Sequence, residues 1–175
     1  MPIVPDTKNW TWVLERACPE CGFDAGGAAF DDIPRLTRAN VAAWAPVLQR
    51  DDVRERPDDS TWSRLEYAAH VRDVFGVMAA RLRLLLTEDD PEFENWDQDA
   101  TAVAERYNEQ DPVVVGSQLR EAGLEIADAW AAVPEQARSR AGRRSDGSVF
   151  TVETLARYFI HDPVHHLWDV TRTAS

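Results

Sequence analysis

Four segments of this chain carry apolar residues at helical spacing, and nowhere does the sequence alternate as a half-buried strand would. That pattern confines it to helices packed on helices. From Asp32, residues Ile33, Leu36, Asn40, Trp44 and Val47 share one face, and Pro34 suits a first helical turn. The loop "DDVRERPDDS" ends at Ser60, a good N-cap, and the longest segment follows over roughly residues 61–87. Its expected buried stripe is Trp62, Leu65, Ala69, Val74, Met78, Leu82 and Leu85. A short helix is expected to end at Tyr107. The next long one opens with Asp111 as cap and Pro112 in its first turn, with Val115, Leu119, Ala122, Ile126 and Trp130 inward and Val133-Pro134 at its end. Thr151 caps the last, "TVETLARYFIHDPVHHLWDVTR". The fold expected is all-α: a four-helix bundle over residues 31–175, preceded by an irregular arm over 1–30 that holds "CPEC".

A chain of 175 residues, 44% of them hydrophobic and seven of them tryptophan, can close a core without covalent staples. No stretch approaches the ~20 apolar residues of a membrane span, and the first residues lack the features of a signal peptide, so a cytoplasmic protein is expected. The net charge of −12, with Lys8 the single lysine, disfavours nucleic acid, whose affinity rests on neutralised phosphates. The expected partners are a small-molecule substrate and a second copy of the chain in a homodimer.

Three of the four histidines fall within "HDPVHH". His161 and His165 lie four positions apart, hence ~40° apart in azimuth and one turn apart in height, a spacing that lets two imidazoles reach one metal ion. His166 is turned ~100° from His165 and is expected to leave the site. His70, interior to the second long segment, needs a partner for its ring nitrogens. It reads either as a third ligand or as a core histidine bonded to a carbonyl or to Glu66. Pro163 between the paired histidines either bends the helix, freeing the Phe159 carbonyl and tilting His165, or is tolerated at a local bend.

His70 together with "HDPVH" resembles the DinB superfamily of four-helix-bundle metalloproteins, also called DinB/YfiT-like. That group includes bacillithiol and mycothiol S-transferases and is similar in fold to mycothiol-dependent maleylpyruvate isomerases. The resemblance covers about residues 31–172 and implies a three-histidine set of His70, His161 and His165. The arm with "CPECG" lies outside the family pattern. Three imidazoles leave open positions on a divalent ion, the arrangement of a catalytic centre. Zinc is the first expectation, with nickel, iron or manganese also suited to imidazole. The resemblance further implies a low-molecular-weight thiol, mycothiol-like, that ionises on the metal and attacks a small electrophile, in transfer or isomerisation. A metal-binding stress or interaction protein without turnover and a hydrolase that uses bound water are the alternatives.

Around this set, Glu66 is the candidate acid–base group, one turn before His70. Asp162 and Asp169 could hold a ligand's far N–H or sit on the surface. Tyr158 and Trp168 extend the histidine face as pocket lining. "RSRAGRRSDGS" gathers Arg138, Arg140, Arg143 and Arg144. Of these, Arg143 and Arg144 are candidates to bind a carboxylate on thiol or substrate, unless the loop is simply solvated. Cys18 and Cys21 have the spacing of half a zinc site or a redox pair, but the histidines could complete such a site only by leaving the trio. Free thiols or a local disulfide are therefore expected there.

Overall fold

The computed structural model describes residues 9–172. Its frame is helical: α1 (Ile33–Leu48), α2 (Arg64–Thr87), a short α3 (Gln98–Ala104), α4 (Pro112–Ala131) and α5 (Val152–Thr171). Helices α1 and α2 both pack on α4, and α5 closes the bundle against α1 and α2. The residues expected inward on α2, together with Trp62 just before it, are all buried. Trp44, Phe75, Leu119, Trp130 and Phe159 fill the centre, each almost fully excluded from solvent. Among the described residues no helix is long and apolar enough to cross a membrane.

Helix ends follow local chemistry. Asp111 accepts from the Val113 and Val114 amides, and Thr151 forms a reciprocal cap with Thr154, as their positions predict. The start of α2 is corrected from Ser60 to Ser63, whose side chain accepts from Glu66 N while Glu66 returns a bond to the Ser63 amide. "SRLE" carries this capping-box signature in the sequence. Ser60 instead closes a turn on Asp58.

The absence of strands is also corrected. Residues 141–144 and 149–151 form an antiparallel hairpin, with Arg144 N bonded to Ser148 O at 2.8 Å, and Glu92–Phe93 adds a parallel third strand. Strands of two to four residues are too short to show an alternating pattern. The arginine loop is therefore structured, and Arg144 is buried while Arg143 faces out.

The arm is ordered as well. A 3-10 turn at Trp10–Leu14 buries Val13 against the bundle and packs on α5, and Arg157 Nε donates to Ala28 O at 3.0 Å. Helix α5 runs through Pro163 unbroken, and the Pro163 carbonyl accepts a 2.6 Å bond from the buried Asn40 side chain. Asn40 in turn accepts from Trp44 Nε1.

Candidate functional site

The chemistry gathers on α5, where four donor residues form two i, i+4 pairs one position out of step: His161 with His165, and Asp162 with His166. Adjacent positions on a helix differ by ~100°, so the pairs point at different neighbours. Asp162 and His166 meet His70 of α2, and the three donor atoms lie within 4.8 Å of one another. His161 and His165 instead meet Cys18 and Cys21 of the arm, again within 4.8 Å.

The expected three-histidine set is thus divided over two clusters. His70 is joined by Asp162 and His166, and the residue expected to leave the site is part of it. Two pairs of equal spacing stand side by side on α5, and the packing of α5 on α2 decides which of them lies beside His70.

At the first cluster His70 is fully buried, stacked on Trp96 with ring centroids 5.3 Å apart and planes 4° from parallel, with Trp62 on another side. Its Nε2 lies 3.4 Å from Asp162 Oδ1. Both ring nitrogens, and Asp162 Oδ1, are buried without a hydrogen bond of good geometry among the described residues. Such atoms are costly to strand, by about 1–3 kcal/mol each, and a cation held between His70 Nε2 and Asp162 Oδ1 would remove the penalty for those two. Two imidazoles and a carboxylate are a donor set suited to zinc, and the residues present therefore fit a divalent ion.

Supporting contacts orient the set. Asp169 Oδ2 lies 3.1 Å from His166 Nδ1, which turns the opposite nitrogen toward Asp162, at 3.8 Å. The same Asp169 oxygen lies 3.6 Å from His165 Nε2, so one carboxylate braces a histidine of each cluster. Burial would raise the Asp162 carboxyl, but the neighbouring His70 and His166 rings outweigh it and hold it down to about 2.

At the second cluster, Cys18 Sγ is 3.6 Å from His165 Nδ1 and Cys21 Sγ is 3.9 Å from His161 Nε2. Trp10 packs on both imidazoles, with centroid separations of 5.6 and 5.5 Å. Burial, then repulsion between the two rings, lowers His161 to about 4, and burial likewise lowers His165, which favours the neutral form that donates a lone pair. Burial also pushes the Cys21 thiol up to about 11, opposite to what an activated nucleophile needs.

The remaining expectations divide. A cavity of about 400 Å³ opens beside Asp162, and Arg144 and Tyr158 line it with Arg81, Trp96 and Trp10. Arg144 is held by Asp146 and lies 3.3 Å from the Tyr158 hydroxyl. Arg81, which was not anticipated, is buried and donates to Glu94 O at 3.0 Å. Arg143 points away, paired with the exposed Asp90. Trp168 packs on His165 and under Arg172, beside the second cluster.

Glu66 is committed elsewhere. Its oxygens accept from Arg56 Nε at 2.9 Å, from a second Arg56 nitrogen, and from the Ser63 amide at 2.8 Å. Burial would raise its carboxyl, but the Arg56 bonds, then the Ser63 amide, outweigh it and lower it. A depressed folded value contributes stability above the unfolded carboxyl range, lost as pH falls through the folded value. Glu66→Gln should therefore lower stability at neutral pH by about 1–2 kcal/mol and flatten its acid-side decline. Denaturant unfolding across pH 3–7 checks this, and metal content should not change.

No family model and no curated protein matches the chain. Two solved structures match in fold. YfiT from Bacillus subtilis, described as a probable metal-dependent hydrolase with an unusual four-helix bundle topology, superposes with a TM-score of 0.65 at 18% identity, over 97% of this chain and 91% of that one. The mycothiol-dependent maleylpyruvate isomerase superposes with a TM-score of 0.66 at 15% identity, over 86% of this chain. The match spans 64% of that isomerase's own length. The chain thus has a four-helix-bundle fold similar to that of YfiT.

Proposed function

We propose that this DinB/YfiT-like bundle is a metal-dependent enzyme that takes a small polar molecule in the cavity beside Asp162, with a low-molecular-weight thiol as co-substrate. The observation that carries the reading is the convergence of His70, Asp162 and His166, in which the His70 ring nitrogens and Asp162 Oδ1 are buried and unsatisfied. A divalent ion held by these three residues supplies a Lewis acid with open positions, able to acidify a thiol or water and to polarise a carbonyl. The descriptions of the two similar structures, a metal-dependent hydrolase and a mycothiol-dependent isomerase, favour this class.

The chain's own groups do the positioning. Trp96 and Trp62 fix the His70 ring, and Asp169 fixes that of His166. Arg81 and Arg144, with the Tyr158 hydroxyl, offer donors to a carboxylate or to sugar-like hydroxyls, while Asp97, Asp99 and Asp146 give the same cavity acceptors. Such a wall of both charge signs suits a polar, many-functional molecule better than an apolar one. The reacting thiol comes from outside, because Cys18 and Cys21 are grouped with the other pair of α5 donors.

Consumption of an electrophile such as monochlorobimane, measured with several thiols, tests the reading. Turnover should need both thiol and metal, vanish on chelation and return on re-adding zinc or nickel. Hydrolysis of esters or amides with water alone would move the assignment to a hydrolase. Full activity after complete metal removal would end both.

A further inference from the structure

We propose that the chain carries a second, structural zinc site, made of Cys18, Cys21, His161 and His165, which clips the amino-terminal arm to α5. It is independent of the catalytic reading and uses none of the residues assigned to it.

The separations suit a tetrahedral ion. Zinc bonds of about 2.3 Å to sulfur and about 2.05 Å to nitrogen, at tetrahedral angles, place sulfur and nitrogen about 3.6 Å apart. Cys18 Sγ to His165 Nδ1 is 3.6 Å and Cys21 Sγ to His161 Nε2 is 3.9 Å, and all four donor atoms lie within 4.8 Å of one another. Each element supplies its pair at the required spacing, C-x2-C from the arm and H-x3-H from the helix.

The arm is shaped to present both sulfurs together. Gly22 N donates to Cys18 O at 2.9 Å, and Cys18 N donates to Phe23 O at 2.9 Å, so the chain folds back around the cysteines. Gly22 makes that reversal at φ +73, a conformation other residues enter with strain. Cys18, His161 and His165 are buried and, with Cys21, offer the four protein donors of a structural site, whereas the His70 cluster offers three. Binding displaces the two thiol protons to solvent and needs no oxidant.

The arrangement also says what the ion is for. Asn9 and Trp10, at the start of the described arm, form part of the wall of the cavity beside Asp162. The arm, held by short 3-10 turns and no long helix or sheet, is thereby fixed as a wall.

Metal content and cobalt spectroscopy of the full chain test the proposal. Protein produced with added zinc should hold about two ions per chain, and Cys18→Ser/Cys21→Ser should lose about one. His70→Ala should lose the other and keep the cysteine-bound ion. Cobalt(II)-loaded wild type should show thiolate-to-metal charge transfer and the strong visible bands of a tetrahedral ion. Both should persist in His70→Ala and vanish in the double serine variant. His165→Cys should retain the ion and strengthen the charge-transfer band, a readout that does not depend on the serine variant folding. Wild type holding one ion, with the cobalt–thiolate signature, would uphold this site while rejecting a metal at His70. Cobalt protein lacking thiolate charge transfer would overturn the proposal. A Cys18–Cys21 disulfide in protein purified without oxygen in the presence of zinc would do the same.

Discussion

Alanine at His166 is expected to strip the ion from the cavity site and abolish turnover, whereas alanine at His161 should leave that ion in place. Losing a residue that merely orients a ligand weakens metal binding 10–100-fold, so losing a direct ligand should exceed about 100-fold. His166 shares its cluster with His70 and Asp162, while His161 lies with Cys21. His161→Ala should therefore change affinity at the cavity site by less than about tenfold, while removing the cysteine-linked ion. Competition with a chromogenic chelator on zinc-loaded protein measures both. Equal loss at the cavity site in the two variants would restore the grouping of His70 with His161 and His165.

Gly26→Ala is the second large effect, and it acts on the backbone. A Cβ at Gly26 would lie 2.4 Å from the Leu14 carbonyl oxygen and 2.9 Å from its carbon. Both are main-chain atoms, so no side chain can swing aside and the arm itself must move. Overpacking of this kind typically destabilises by about 1–3 kcal/mol. Residues 14 and 26 bracket the turn that carries Cys18 and Cys21, so the variant should also bind the cysteine-linked ion more weakly. Gly76→Ala is the control: a Cβ at Gly76 would meet nothing within 4 Å, and alanine should stabilise α2 by up to about 1 kcal/mol. Denaturant unfolding of the two zinc-loaded variants checks the contrast, and equal stabilities would mean that the arm is not packed on itself as described.

The sequence by itself determined the bundle. Its signals are local and periodic: the stripe from Trp62 to Leu85, Asp111 before Pro112 and Thr151 before α5 each act within a few residues. The hairpin at 141–151 escaped because its strands are held by pairing with each other and with Glu92–Phe93, a contact some fifty residues away that leaves no alternation. The donor residues were equally visible, since histidines, aspartates and a C-x2-C pair stand out in any reading. Their grouping was not. His161 with His165 and Asp162 with His166 have identical spacing, and a helix offers both pairs at once, about 100° apart. Which pair faces α2 and which faces the arm depends on how α5 is rotated in the bundle. That rotation is set by the burial of Leu155, Phe159 and Ile160 and by the bond from Asn40 to the Pro163 carbonyl. Periodicity fixes the faces of a helix only relative to one another. The partner of each face is a long-range contact, and here only tertiary packing divides the candidate three-histidine set between two clusters with different donors.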